Sequence, residues 1–163
     1  MRRSRHSRRT RPTNHKEKSM GESLLSRSDD FSFADLLGAC RQKMINPNFT
    51  EENFPSEPVL PDENEWEPYE YGFNSWVQGE DALAIAQKSG YRLCGPRRAM
   101  EYIANGRQNN QLKNPIIVTA RWKNINDLMV PVFNDNNGER VINIISLSYH
   151  FPPKFKWLVL RKK

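Results

Sequence analysis

No apolar run in this 163-residue chain approaches the length of a membrane span or of an export-signal core. An intracellular, soluble protein is therefore expected, cytoplasmic or associated with nucleic acid and without a membrane partner. Cysteine is scarce: Cys40 and Cys94 stand far apart, and His150 is the only histidine beyond residue 15, so the spacing of a zinc site is missing. Neither a glycine-rich phosphate loop nor an internal repeat occurs, and Asp127, Asp135 and Glu139 form no acid–base pair. These absences leave no basis for a metal, a cofactor or a catalytic set.

What is present is charge, unevenly placed. Residues 1–18 carry eight Lys/Arg against Glu17. Residues 46–81 carry ten acids and no Lys or Arg, and residues 82–163 carry fourteen bases against four acids. This order of basic arm, acidic connector and basic body points to a polyanion partner, with the connector competing for the same surface. Residues 1–30 have no apolar periodicity and read as a disordered tail. Arg2, Arg3, Arg5, Arg8, Arg9 and Arg11 would neutralise phosphates and release counterions, giving salt-sensitive attachment to nucleic acid or a nucleoprotein assembly.

An amphipathic helix is expected over residues 31–45. Ser32 and Asp35 have capping-box spacing, Asn46-Pro47 ends the run, and Phe33, Leu36, Leu37, Cys40 and Met44 line one face. That stripe suits either the chain's own core or the groove of a larger protein. Residues 46–74 hold five prolines, which forbid a long helix and favour extended, polyproline-like backbone. Their aromatic residues, Trp66, Tyr69, Tyr71 and Phe73, predict a strap pressed onto the body, its carboxylates meeting basic side chains.

The body, residues 75–163, is expected to begin with two short helices, one over Glu80–Ser89 and one opened by Pro96 and closed by Gly106. The intervening Arg92-Leu-Cys-Gly-Pro96 is too long for the turn of a helix-turn-helix. Its Cys-Gly-Pro matches only the start of a thioredoxin-type motif, with Arg97 in place of the second cysteine; a thiol enzyme centred on Cys94 is thus a distant alternative. Arg97 and Arg98 oppose the helix dipole, so an anion gripped by Gly95, Arg97, Arg98 and Arg92 would reverse a penalty; the competing reading is that these arginines pair with Glu101 or with the acidic strap.

Beyond Asn114 the pattern turns to strands around an Asn134–Gly138 hairpin. The fold class read from these elements is α+β: short helices packed on one face of a four-stranded antiparallel sheet. Arg121, Lys123, Lys154 and Lys156 would then stand on the open face as a phosphate-binding and base-stacking surface. The reading is a small, non-enzymatic nucleic-acid-binding accessory protein. The alternative is an interaction or inhibitor factor docking through the 31–45 helix and the acidic strap.

Overall fold

The structure, a computed structural model, describes residues 31–106 and 112–163; the arginine-rich arm lies outside the described residues. Among the described residues there are three short α-helices, α1 (Phe33–Ala39), α2 (Gly79–Lys88) and α3 (Pro96–Asn105). The strands are β1 (Met44–Ile45), β2 (Trp66–Gly72), β3 (Val77–Gln78), β4 (Arg92–Leu93), β5 (Ile116–Val118), β6 (Trp122–Asn124), β7 (Asp127–Asn136), β8 (Glu139–Ser146), β9 (His150–Phe151) and β10 (Lys156–Lys162). Eight of them form one mixed sheet in the order β1-β8-β7-β5-β10-β2, with β4 joined to β10 and β6 to β7; β3 and β9 form a separate two-stranded sheet.

The expected four-stranded antiparallel sheet is thereby corrected. The main sheet has twice as many strands, and two of its pairings, β1 with β8 and β5 with β10, are parallel. The strap itself supplies β2, whose seven residues pair along the whole of β10. Proline permits this at an edge, because Pro68 needs no ladder donor on the outer side of a terminal strand. The last strand of the chain is consequently internal, flanked by β2 on one side and by β5 and β4 end to end on the other.

Helices also cover both faces, where one was expected. Across β5 the side chains divide: Ile116 and Val118 join Phe33, Leu36, Cys40, Met100 and Ile103 from α1 and α3. Ile117 joins Ala82 and Leu83 of α2, together with Phe151 and Trp157. This is the period-2 alternation of a strand, with both sets apolar because both faces are buried. Since α2 and α3 lie on opposite faces with β4 between them, they make no helix-turn-helix.

Thr119 closes the joint where β5 ends and β4 begins. Its buried hydroxyl accepts the Cys94 N–H at 2.6 Å and lies 2.9 Å from the Leu158 carbonyl of β10, satisfying ladder groups that the break would orphan. Pro131 sits in β7 where pairing with β5 has ended and pairing with β6 has not begun. It is therefore tolerated inside the sheet. The hairpin from β7 to β8 turns on Asn137 and Gly138, both at positive φ, as a two-residue connection requires.

The capping box of α1 forms as expected, Ser32 and Asp35 each accepting the other's backbone N–H. The helix nevertheless stops at Ala39 rather than running to Ile45. Arg41 adopts positive φ, and Met44 and Ile45 leave as β1 to pair with β8. Phe33, Leu36 and Cys40 are buried in the protein's own core and Leu37 packs against it, whereas Met44 is 58% exposed. Leu36→Ala should lower stability by about 2–5 kcal/mol in urea denaturation, while Met44→Ala should change it by less than about 0.5 kcal/mol. Equal effects would contradict this placement.

Candidate functional site

The charged groups singled out in the sequence converge at the start of α3. Gly95 is its N-cap and contributes no side-chain cap. The cap comes instead from the strap: the Glu57 carboxylate accepts the N–H of Arg97 at 3.1 Å and of Arg98 at 3.0 Å. A Cβ on Gly95 would meet that carboxyl group and displace the end of the Glu57 side chain, so glycine permits the close approach here. An anion does sit at this helix terminus, and it is the chain's own.

The arginines that follow are taken up in the same way. Arg97, only 6% exposed, reaches Glu63 at 2.5 Å and Glu101, one helical turn on, at 3.0 Å. Burial alone would lower the pKa of its guanidinium, but Glu63, Glu101 and Glu57 outweigh that and hold it above the ordinary value. Arg98 lies 3.4 Å from Glu63 and donates to the Trp66 carbonyl at 2.9 Å. Arg92 pairs with Asp62 at 2.8 Å and stacks on the Trp66 ring at 3.9 Å. Arg92, together with the Trp66 indole N–H, keeps the Asp62 carboxyl below its usual range against the modest opposing effect of burial. Farther along β2, Tyr102 donates to Glu70 at 2.9 Å, and Arg161 holds Glu67 while lying over Tyr69.

The four cations expected on an open sheet face are not brought together. Lys156 opens β10 opposite Ile116 at the start of β5, and Lys154 lies in the turn before it. Arg121 falls past the far end of β5, with Lys123 in β6. The face they were to share is covered by a helix layer. None of the four has a carboxylate partner among the described residues.

Cys94 is fully buried, its thiol 3.7 Å from the Gly95 carbonyl. Burial pushes the pKa of that thiol far up, and Glu57 adds to the shift; Arg98 and Arg97 do not offset them. A buried neutral thiol is a poor nucleophile. Beside α3, a cavity of about 410 Å³ is lined by Pro68, Arg98, Glu101, Tyr102, Asn105 and Gly106. Its charged groups, Arg98 and Glu101, are already paired with Glu63 and Arg97, and its Tyr102 hydroxyl with Glu70. Among the described residues no group of His, Cys, Asp and Glu is arranged to hold a metal ion, and no helix is long and apolar enough to cross a membrane.

Sequence reasoning locates the arginines, Gly95 and the strap but does not find Glu57 and Glu63 as their partners. The missing signal is register: only when β2 lies along β10 do these carboxylates arrive over α3. No known protein family, curated protein or solved structure matches the chain. Glu57→Ala should cost about 0.5–2 kcal/mol in urea denaturation, as for loss of a helix cap, and Glu57→Gln should recover part of it. An unchanged midpoint in both variants would mean that Glu57 does not cap α3.

Proposed function

We propose that this chain is a small, non-enzymatic nucleic-acid-binding accessory protein in which the arginine-rich arm makes the attachment and the α+β body sets its placement. The observation that carries this reading is the division of charge. Of 25 Lys/Arg and 19 Asp/Glu, nine and four precede Phe31, leaving sixteen and fifteen in residues 31–163. Residues 31–163, strap and body together, are nearly balanced, and the body's most clustered arginines face strap carboxylates. The basic excess is concentrated in the arm, a distribution suited to sequence-independent phosphate contact. The docking-factor alternative is weaker because its apolar stripe is spent on the protein's own core.

Fluorescence anisotropy across a salt series tests the proposal, using labelled single-stranded RNA and duplex DNA. The full chain should lose affinity steeply with salt. Each phosphate neutralised on a single strand contributes about 0.7 to the slope of log K against log salt, so replacing Arg2, Arg3, Arg5, Arg8, Arg9 and Arg11 with Gln should flatten that slope by about 4. An unchanged slope would remove the arm from the account, and absence of binding by the full chain at low salt would end it.

A further inference from the structure

The β3–β9 ribbon continues the ladder of β2 and β10. Gly72 pairs with Lys156 and Val77 with Phe151, and five positions separate the two pairs on either strand, so the register carries across an interruption. Pro152-Pro153 cannot donate to a ladder and accounts for the break. Val77 and Phe151 face the second core, where Phe151 meets Phe155 and Trp157 at ring separations of 5.6 and 5.1 Å. By alternation Gln78 and its partner His150 share the opposite, outward side, and Trp76 immediately precedes this strand.

Trp76 is 63% exposed, the most exposed aromatic among those left open to solvent. No ring packs on it and no group accepts its indole N–H among the described residues. It is the one tryptophan classed as exposed; Trp157 is buried and Trp66 and Trp122 are partly so. His150 is exposed and pairs with Gln78, two residues after Trp76; Lys154 is exposed in the turn that follows β9; neither connection, residues 73–76 or 152–155, carries an acid, and the nearest acids in sequence, Glu80 and Asp81, open α2. We propose that this outward side of the ribbon, together with Trp76 as the stacking ring and with Lys154 and His150, receives an unpaired base of single-stranded nucleic acid. The inference rests on the nucleic-acid reading above and gives the body a part in it that the arm cannot supply.

The surroundings favour a nucleic acid over a protein. A protein hot spot is ringed by groups that exclude water, whereas the residues flanking Trp76 in sequence and register include the polar Asn74, Ser75, Gln78 and His150. A flat ring on an anchored strand end, with a cation able to meet the adjoining phosphate, is the composition of a stacking site that accepts any base. Paired bases present no free face, so duplexes are excluded.

The test is anisotropy of a short labelled oligothymidylate and of a duplex with the full chain, Trp76→Ala and Trp76→Phe, alongside thermal melting and sedimentation of each. Trp76→Ala should weaken single-strand binding by about 5- to 100-fold with melting and salt slope unchanged. Trp76→Phe should keep most of the affinity, and duplex binding should shift by less than about twofold. If the full chain binds with a steep salt slope and Trp76→Ala binds equally well, the stacking site is refuted while the arm's role stands. If the full chain binds neither ligand, both readings fall together. If Trp76→Ala instead turns a dimer into a monomer with binding intact, this side joins two copies of the chain and the proposal is overturned.

Discussion

Arg97 carries a guanidinium into a site almost closed to water, and that single burial organises much of the molecule. A cation removed from water must be matched by carboxylates at hydrogen-bonding distance. Glu101 is supplied locally, one turn along α3, but Glu63 comes from the strap. Satisfying Arg97 therefore fixes the path of residues 57–63, and with it the point where β2 begins and the register in which it meets β10. Glu57 then falls on the free N–H groups of α3, where the helix dipole favours a negative charge.

The consequences reach the functional reading. Ten acids in residues 46–81 look in isolation like a solvated spacer, yet several neutralise the body's own arginines. The formal charge of +6 divides into +1 over residues 31–163, strap and body together, and +5 over residues 1–30. Under the nucleic-acid reading proposed above, sequence-independent phosphate attachment would fall to the arm and contact with a base to the Trp76 side of the body. The Trp76 face belongs to the same ladder that Arg97 indirectly sets in register, since β2 leads through residues 73–76 into β3.

Local signals are legible in the sequence. The Ser32–Asp35 box, the limits of α3 at Pro96 and Gly106, and the Asn-Gly hairpin each depend on residues within a few positions of one another, which is the range over which capping and turn chemistry act. The strap's contact with the body is legible as well, from its aromatic rings and carboxylates. The size and mixed character of the sheet are not. Strands β1 and β4 have two residues each, too few for any alternation, and Pro68 gives β2 the appearance of polyproline. In β10, Trp157, Leu158 and Val159 are buried in succession, the mark of a strand covered on both faces, whereas the expected sheet was half-solvated. The same error places Arg121, Lys123, Lys154 and Lys156 on one open face. At α3 the sequence supplies the cradle for an anion, but the occupant comes from about forty residues away, beyond the reach of local pattern.

The central claim is that Arg97 and Glu63 are energetically bound to one another across the strap–body contact. A double-mutant cycle with Arg97→Met and Glu63→Gln, measured by urea denaturation, tests it most directly. The account predicts that the two single variants are each destabilised, that the double variant is more stable than their sum implies, and that the coupling is about 1–3 kcal/mol. Additivity within about 0.3 kcal/mol would mean that the buried guanidinium does not hold the strap in place, and the organisation built on it would be wrong.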